Sequence, residues 1–512
     1  MNEIELRFQI PAAQWAALHR WVQGEARQRA RTERLQAAYF DTPARDLARA
    51  GFALRLRREG EVWVQTLKGA APDGMTRLEH NVPLGAAEPT LLVARHADHP
   101  AGQALLRLLA DLPAEALTCL FRTDITRVSR AMRTPHGEVE LALDSGALLA
   151  GEGDDARSTP VAELEIELKQ GEPRAVLEVA RQWAVGRFGL TLELRTKALR
   201  GDLLARRETC APVSESKAIR WTADQTGDQA LKTLLRACLE PVIGNASQIL
   251  AGVHRPEHLH QLRVGLRRLR VGTQLLAAAD EVPLQALAAG AAALSRALTA
   301  ARDADAQAMA PWRAEIAAAW LAERAAPSVE ALPAARVDVA AALRGPEVQD
   351  WMLALIGWLA LPASEASPPV ASRVHPPLAA WAAAAARQIK RFERLDAAGR
   401  HQLRRRLRRL RLGLELALAV PGGGDGARLS KKEKEQRDQR LARVNAAQQA
   451  LGALNDLEIG LATTRDDLAV ALAHGDAAAA AQAGFALGFL RPRQDQALSV
   501  ARKALRKIRR LD

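Results

Sequence analysis

The chain opens with MNEIELRFQI (residues 1–10), and VAELEIELKQ (residues 161–170) repeats the same design. In both stretches, glutamates occupy every second position among Ile, Leu and Val. Side chains of a β-strand alternate between its two faces, so each stretch predicts a strand with an apolar face and a carboxylate face. A solvated face of an antiparallel sheet would give the same alternation, so the pair must be judged with the rest of the chain.

Length and charge bound the class of protein. The 512 residues indicate roughly two to four domains. Lys and Arg number 72 against 59 Asp and Glu, a formal net charge of +13, which favours a polyanionic partner. Three dispersed cysteines without a CxxC pair fit a reducing cytosol. Because the first residues lack a signal pattern and apolar runs stay short of the ~20 residues of a membrane span, we expect a cytoplasmic protein that does not enter a membrane.

The period of the hydrophobic pattern divides the chain into two parts. Up to about residue 205, short alternating runs separated by Gly, Pro, Asp or Asn predict an antiparallel sheet with a few helices. After a polar stretch, segments rich in Ala, Leu and Arg show helical spacing almost to the end. We therefore expect an α+β domain over residues 1–207, a linker over 208–219 and an all-α domain over 220–512.

Charge alternates along at least five of the predicted strands, some acidic and some basic. Such a mixture on one face predicts a closed antiparallel β-barrel, a tunnel with a charged lumen. Carboxylate oxygens would hold a hard divalent cation, and Arg and Lys would neutralise phosphate oxygens. This combination suits phosphoryl chemistry, because a metal and fixed cations can stabilise the charge that develops as a P–O bond breaks.

The helical part repeats itself. HQLRVGLRRLRVG begins at His260, and HQLRRRLRRLRLG begins at His401. The duplication predicts two helical bundles, over residues 220–370 and 371–512.

Each repeated segment, drawn as a helix, presents a basic ridge beside a stripe of leucines. A solvated helix face usually mixes Glu with Arg at i, i+4, whereas stacked arginines repel one another, so the ridges predict a polyanion partner. The first ridge is His260, Arg263, Arg267 and Arg270, and the second is His401, Arg404, Arg408 and Arg411.

The opening EIELR resembles the ExExK signature of the CYTH family, also called triphosphate tunnel metalloenzymes. YFDT, GFALRLR, the lysine of QTLKG, RLEHNV and ELEIEL follow in the family's order, over about residues 1–205. The resemblance implies a tunnel of antiparallel strands that binds a triphosphate with Mg²⁺ or Mn²⁺ and hydrolyses it.

The resemblance also implies roles for individual residues. Glu3 and Glu5 match the signature glutamates, which serve metal binding. Glu165 and Glu167, with Asp144 nearby, would complete the metal site, and a shift of the late pair to Glu163 and Glu165 stays open. With Glu3 and Glu5, the catalytic set would contain Arg7 and Lys68. The basic positions that would hold the phosphates are Arg55, Arg57, Arg77, Arg122 and Lys197.

Arg7 stands where the signature has lysine. Arginine keeps its charge and can bind phosphate with two nitrogens, yet it cannot accept a proton at ordinary pH. If water must be activated, the metal or a carboxylate would do it.

The paired HxLR-type segments resemble the CHAD domain, over about residues 220–512. The resemblance implies two four-helix bundles that form a basic cavity for inorganic polyphosphate, with the eight ridge residues as candidate ligands. Such a domain would recruit the enzyme to polyphosphate granules or supply it with chain ends, and the sequence does not separate these two uses.

We therefore expect a metal-dependent inorganic triphosphatase that releases diphosphate and phosphate and carries a polyphosphate-binding domain. An adenylyl cyclase or an organic triphosphatase on the same tunnel is one alternative, and a noncatalytic polyphosphate-binding protein is another. A single Tyr and 4% aromatic residues favour a substrate without a base. They also argue against a nucleic-acid partner, since no recognised binding motif accompanies them. The oligomeric state stays open.

Overall fold

The computed structural model describes residues 2–24, 30–69, 75–110, 116–222, 224–277, 281–299, 315–316, 318–320, 338–362, 364, 366–420 and 430–508. The chain forms two compact units. Unit 1 comprises Met1–Lys217, Leu235–Leu266 and Val339–Pro362. Unit 2 comprises Ala218–Leu234, Arg267–Asp338 and Ala363–Asp512.

A nine-stranded antiparallel sheet dominates unit 1. Its spatial order is β5-β4-β3-β2-β6-β7-β8-β1-β9, and an additional pairing of β5 with β1 closes eight of the strands into a tunnel. The predicted antiparallel tunnel is thereby confirmed. In chain order the strands are β1 (Asn2–Gln9), β2 (Arg31–Asp41), β3 (Ala53–Glu59), β4 (Val62–Lys68), β5 (Thr76–Gly85), β6 (Thr118–Thr134), β7 (Gly137–Ala150), β8 (Arg157–Gly171) and β9 (Thr191–Leu192).

Strand β1 closes the tunnel by pairing along both of its edges. Its first residues pair with β5, where Glu3 lies opposite Arg77, and its later residues pair with β8. The apolar side chains of Leu6 and Phe8 are fully buried, and helix α4 (Pro173–Val179) packs on β1, β7 and β8. Burying one face of β1 sets its register, which directs the glutamates to the opposite face.

Helices account for most of the rest of the chain. In chain order they are α1 (Trp15–Gln23), α2 (Asp46–Arg49), α3 (Pro100–Leu108), α4 (given above), α5 (Lys197–Ala205), α6 (Gly227–Leu239), α7 (Asn245–Leu250), α8 (Pro256–Leu276), α9 (Val282–Ala297), α10 (Val339–Arg344), α11 (Pro346–Ala360), α12 (Val370–Ile389), α13 (Ala397–Leu418), α14 (Lys431–Ala473) and α15 (Ala477–Ile508). Among the described residues, no helix combines the length and the apolar character that crossing a bilayer requires.

Helix α5 begins where it can deliver a lysine to the tunnel. The hydroxyl of Thr196 accepts a hydrogen bond from Leu199 N at 2.9 Å and caps the helix, so Lys197 is its first residue. Farther along α5, a Cβ at Gly201 would lie 2.2 Å from the ring of Phe121. The absence of a side chain there lets the helix pack directly on strand β6.

The segment expected as a linker runs without helix or strand and is held by two buried amides of α7. Asn245 Oδ1 accepts from Ser214 N at 3.1 Å, and Asn245 Nδ2 donates to Ser214 O at 2.9 Å. Gln248 Oε1 accepts from Ala211 N at 3.1 Å. These bonds satisfy backbone groups that an irregular segment leaves unpaired.

The helical part confirms the all-α prediction. The leucines of both repeated segments are buried: Leu262, Leu266 and Leu269 on α8, and Leu403, Leu407, Leu410 and Leu414 on α13. In unit 2, Asp396 caps α13 by accepting from Gly399 N at 2.8 Å. Ser430 and Glu433 form a capping box at the start of α14, which satisfies backbone donors at the first turn of that helix.

Candidate active site in the tunnel

The tunnel encloses a cavity of about 1280 Å³ with charged walls. Inward-facing residues of seven strands and the first residue of α5 supply most of the charge. The acidic side chains include Glu3, Glu5, Glu79, Asp144, Glu165 and Glu167, and the basic ones include Arg7, Arg55, Arg57, Lys68, Arg127 and Lys197.

Three carboxylates from adjacent strands meet at one wall. Asp144 of β7 lies opposite Glu163 of β8, and Glu165 is the next residue on the same face of β8. One oxygen from each of the three lies within 4.8 Å of the others. We call Asp144, Glu163 and Glu165 the carboxylate trio. Its donor set, carboxylate oxygens alone, is the set that hard divalent cations prefer.

Arg127 and Lys197 each bind more than one acid of the trio, and Arg200 binds Glu163. Arg127 of β6 donates from Nε and Nη2 to the two oxygens of Asp144, both at 2.7 Å, and Nη2 also binds Glu165. Lys197 Nζ lies 2.7 Å from Asp144 Oδ2 and 2.8 Å from Glu165 Oε1, and it also pairs with Glu163. The negative charge of the trio is thus balanced by cations, since each acid contacts at least one of them.

The charges of the trio and its cations support one another. Burial would lower the pKa of Lys197, but Asp144, Glu163 and Glu165 outweigh it and raise this pKa. Burial would likewise raise the pKa of Glu165, but Lys197 and Arg127 hold it well below its usual range. At neutral pH, Lys197 is therefore protonated and Glu165 is ionised.

A second acid–base group lies at Lys68. Its Nζ donates to Glu3 at 2.7 and 3.0 Å and lies 2.9 Å from Glu79 Oε2. Burial, reinforced by the charge of Glu5 and by Glu79, raises the pKa of Glu3 to about 8 even though Lys68 acts against it. Three carboxyl groups, those of Glu3, Glu5 and Glu79, thus act on one lysine and raise its pKa against the effect of burial.

Two arginines of β3 form a basic part of the wall. Arg55 Nη1 donates to the hydroxyl of Tyr39 at 3.1 Å, and Arg57 Nε donates to Glu59 at 2.6 Å. Burial would raise the pKa of Tyr39, but the charge and the hydrogen bond of Arg55, together with the charges of Lys197 and Arg57, outweigh burial and lower this pKa. Burial and the charge of Arg55 lower the pKa of Arg57. An anion placed between these arginines would relieve their mutual repulsion.

Arg7, at the signature position, lies near Glu5 with 3.7 Å between Nε and Oε1. Burial would lower its pKa, but Glu5, Glu163, Glu165 and Glu193 outweigh burial and raise it. Arg7 is therefore held as a cation at all ordinary pH values.

Of the residues expected in the site, Arg122 does not lie with the others. On β6 the cavity receives Thr123, Ile125 and Arg127, so Arg122 points to the opposite face. There it pairs with Glu152 at 3.1 Å, and its side chain is 56% exposed. The expectation that Arg122 holds phosphate is corrected by this geometry, because a strand alternates its side chains between two faces.

Two further expected site residues are Glu167 and Arg77. Glu167 lines the cavity but pairs with Lys169 at 2.8 Å and lies outside the trio, so the trio takes the late glutamates as 163 and 165. The backbone of Arg77 pairs with Glu3 in β5, and its side chain lies outside the described residues.

Sequence reasoning missed several residues of the site. Arg127 had a detectable signal, since it shares a face of β6 with Thr123 and Ile125, but the opposite face of that strand is also charged. Arg200, which binds Glu163 from α5, had none, because helix α5 meets the trio only through the fold. Tyr39 and Glu79 occur in motifs of the CYTH resemblance without an assigned role.

The two basic ridges lie on α8 and α13 and differ in their surroundings. In unit 2, His401 Nδ1 lies 2.7 Å from Asn455 Oδ1, and Arg411 donates to Gln448 at 2.6 Å. Arg404 is buried, whereas Arg408 is half-buried. On α8, His260 is exposed, and the remaining ridge residues, Arg263, Arg267 and Arg270, are half-buried.

A different set of arginines converges in unit 2. Burial and the charges of Arg405 and Arg296 lower the pKa of Arg270. Burial and the charges of Arg406 and Arg270 lower the pKa of Arg409, whose guanidinium lies 4.5 Å from the ring centre of Trp381. We call Arg270, Arg405 and Arg409 the arginine cluster. It joins α8 of the first repeat to α13 of the second.

Comparison with known proteins agrees with this architecture: residues 1–197 match the CYTH domain and residues 233–465 match the CHAD domain. The chain combines a CYTH domain with a CHAD domain. The expected family resemblances are thereby confirmed, and the CYTH match coincides with the tunnel.

Individual relatives resemble parts of the chain. An inorganic triphosphatase of Haemophilus influenzae is 29% identical over 173 residues, which are 33% of this chain and 46% of that protein, so the match spans about half the relative's length. The CHAD domain of the plant Ricinus communis is 26% identical and covers 58% of this chain and 96% of its own, with a TM-score of 0.41. A Hippeastrum protein described as an adenylyl cyclase with dominant triphosphatase activity is 19% identical and covers 40% of this chain and 96% of its own, with a TM-score of 0.27.

Proposed function

We propose that the CYTH domain hydrolyses inorganic triphosphate to diphosphate and phosphate with the help of a divalent cation. The observation that carries the proposal is the carboxylate trio, of which Asp144 and Glu165 line the cavity beside the basic residues Arg55, Arg57, Lys68, Arg127 and Lys197. A metal site and a set of fixed cations are the two parts that phosphoryl transfer requires, because it depends on positioning and charge stabilisation.

The trio fits Mg²⁺ or Mn²⁺, and Glu3 and Glu5 supply further carboxylates in the same cavity. When bound, the metal would neutralise phosphate charge and lower the pKa of a water molecule. Arg127 and Lys197, which balance the trio in this structure, would then pair with phosphate oxygens. Arg55 is held by Tyr39 and would bind phosphate in a fixed orientation.

Proton transfer must come from elsewhere than the basic residues. The neighbouring acids raise the pKa values of Arg7, Lys68 and Lys197, so none of the three is a proton acceptor near neutral pH. These residues bind and orient the phosphates, and water activation is left to the metal or to a carboxylate.

Phosphate release tests the proposal. Inorganic triphosphate, ATP, thiamine triphosphate and long polyphosphate are each assayed with Mg²⁺, with Mn²⁺ and with chelator. We expect metal-dependent release chiefly from inorganic triphosphate, lost in Glu165→Gln and kept in Glu152→Gln, since the side chain of Glu152 is 80% exposed and pairs with the outward Arg122. Preferential phosphate release from ATP would favour an organic triphosphatase, and formation of cyclic AMP and diphosphate from ATP would favour an adenylyl cyclase. Absence of any hydrolysis product from every substrate would contradict the proposal.

We further propose that the CHAD domain binds inorganic polyphosphate. Support comes from the arginine cluster, where the charge of Arg405 adds to burial in lowering the pKa of Arg270, and the charge of Arg270 does the same for Arg409. Arginines so placed repel one another, and a chain of phosphates would neutralise all of them at once. Polyphosphate granules in the cytoplasm are the corresponding location.

The polyphosphate proposal predicts tight binding that weakens as salt rises, because binding releases counterions. In full-length protein, Arg270→Glu/Arg405→Glu/Arg409→Glu is compared with Lys432→Glu/Lys434→Glu/Arg440→Glu, which changes net charge equally on α14. Loss of affinity in the first variant alone supports the proposal. An equal loss of affinity in both variants would mean that net charge alone accounts for binding. Unaltered affinity in both variants would contradict the proposal.

A further inference from the structure

The tunnel strand β1 pairs with one edge of β9, and side chains cover the other edge. Glu193 N donates to Arg7 O at 2.8 Å on the tunnel side. The amides of Leu192 and Leu194 point the other way, where Leu192 N donates to Gln349 Oε1 at 2.8 Å and Leu194 N donates to Ser247 Oγ at 3.1 Å. Side chains of α7 and α11 therefore take the place of a further strand.

The side chains that provide these contacts are themselves fixed. Gln349 Nε2 donates to Leu343 O at 2.8 Å, and Ser247 Oγ lies 3.4 Å from Leu192 O. Gln248 donates to Val253 O at 2.6 Å, and its Oε1 lies 3.4 Å from a guanidinium nitrogen of Arg195. Ser247, Gln248 and Gln349 are all 1% exposed. Polar groups buried this deeply hold their geometry, because losing a partner would leave the other buried and unpaired.

The opposite side of the same segment carries groups of the site. Arg7 Nη2 lies 3.5 Å from Leu194 O, so the carbonyl of this segment is a contact of the signature arginine. Glu193, which raises the pKa of Arg7, is held by Arg195 through bonds of 2.6 and 3.1 Å. Thr196, two residues after Leu194, caps α5. Lys197, the next residue, pairs with the carboxylate trio.

We infer that Ser247 and Gln349 are positioning residues for the reaction, and the inference rests on the proposed triphosphatase activity. Neither residue lines the cavity, yet together they fix the backbone of residues 192–194 from outside. Moving this backbone moves Arg7 and Lys197 relative to the trio. A displacement of about 1 Å in a positioned group can lower a rate by about a hundredfold.

The test uses full-length Gln349→Leu, Ser247→Ala and Ser247→Thr, with Gln388→Leu as the matched control. Gln388 is also a buried glutamine, on α12 in unit 2, and its Nε2 donates to Gly399 O at 2.9 Å. For each protein, kcat and KM for inorganic triphosphate are measured beside the melting temperature. Hydrogen exchange at the amides of Leu192 and Leu194 reports the local backbone.

We expect Gln349→Leu and Ser247→Ala to lower kcat by about ten- to a hundredfold with a smaller change in KM. Exchange at residues 192 and 194 should rise, and Ser247→Thr, which keeps the hydroxyl, should restore kcat. Gln388→Leu should lower the melting temperature without lowering kcat.

An unchanged kcat in folded Gln349→Leu and Ser247→Ala, with an active wild type, would overturn this inference alone. An equal fall of kcat in Gln388→Leu would also overturn it, since the effect would then follow general stability. If Gln349→Leu fails to fold, Ser247→Ala decides alone. Absence of hydrolysis by the wild type would overturn the proposed function and the inference with it.

Discussion

Arg127 and Asp144 face each other across β6 and β7 and form two parallel hydrogen bonds of 2.7 Å. Nε and Nη2 of the guanidinium each donate to one oxygen of the carboxylate, and such bidentate pairs are among the strong ion pairs of proteins. The register of the two strands creates the pair, and burial protects it from solvent, since Asp144 is 1% exposed. The relationship ties the basic and acidic walls of the tunnel together.

Two arginines of the same strand should therefore behave differently. Arg127→Ala breaks a buried ion pair and leaves Asp144 with Lys197 as its remaining cation, which should destabilise the protein by up to about 3–5 kcal/mol and abolish hydrolysis. Arg122→Ala removes an exposed ion pair, and its effect should stay within about 1 kcal/mol, with activity retained. Urea unfolding and triphosphate hydrolysis check both. Loss of activity in Arg122→Ala with a stable fold would show that the outward face takes part in binding.

Removing Lys197 should separate metal affinity from catalysis. Lys197 competes with a divalent cation for the oxygens of the trio, so Lys197→Met should bind Mn²⁺ more tightly. Hydrolysis should fall by about tenfold or more, because a cation that stabilises phosphate charge is gone. Calorimetric titration with Mn²⁺ and the phosphate-release assay measure the two effects.

Arg133→Met is the matched control, since its side chain is 90% exposed on the same sheet and the substitution removes the same charge. Both quantities should match the wild type. Weaker Mn²⁺ binding in Lys197→Met would mean that Lys197 supports the metal site instead of competing for it.

A buried histidine should make the protein sensitive to acid. His96 is fully buried, and its Nδ1 lies 2.9 Å from Nδ1 of His80. Burial, with the charges of His80, His99 and Arg95, lowers the pKa of His96 from 6.5 to about 4. Below pH 6.5 the unfolded chain therefore takes up a proton that the folded chain refuses, and stability falls as pH drops towards 4.

The loss attributable to His96 is about 3 kcal/mol over this window. Unfolding free energies of wild type and His96→Gln between pH 4 and 7 measure it, and the variant should show the shallower slope. His136→Gln, a change of an exposed histidine, should keep the wild-type slope. Parallel curves for wild type and His96→Gln would contradict the assignment.

Two glycines inside helices should respond oppositely to alanine. In α3, a Cβ at Gly102 would lie 1.8 Å from His96 O, so Gly102→Ala should destabilise by about 1–3 kcal/mol or more through overpacking. In α15, nothing lies within 4 Å of a Cβ at Gly488, so Gly488→Ala should stabilise by about 0.5–1 kcal/mol. Thermal unfolding distinguishes the two. A neutral Gly102→Ala would mean that α3 can shift away from His96.

The strands that carry the site could be predicted because their alternation is unambiguous. Leu6 and Phe8 must be buried, which leaves Glu5 and Arg7 only one face to occupy. Strand β6 is different, since both of its faces carry charge: Arg122 and Asp124 on one, Arg127 on the other. Local sequence cannot say which face is inside there, and the prediction chose Arg122.

Contacts between distant segments were beyond sequence reasoning for another reason. Gln349 and Leu192 are 157 residues apart, and nothing in either local pattern indicates the partner. The late glutamate pair was ambiguous because 163, 165 and 167 share one face, and only pairing with β7 brings Glu163 to Asp144. On the predicted ridge of α13, Arg404 is buried and Arg411 is paired with Gln448 and Glu415, and the local sequence indicates neither environment.

The closure of β9 by side chains has a consequence for solubility. An exposed strand edge offers free N–H groups to any passing chain and is a common starting point for aggregation. A glutamine and a serine occupy this edge at Leu192 and Leu194, so no second chain can add a strand there. Helices α7 and α11 thus cover the edge of the short strand β9 and block edge-to-edge pairing with another chain.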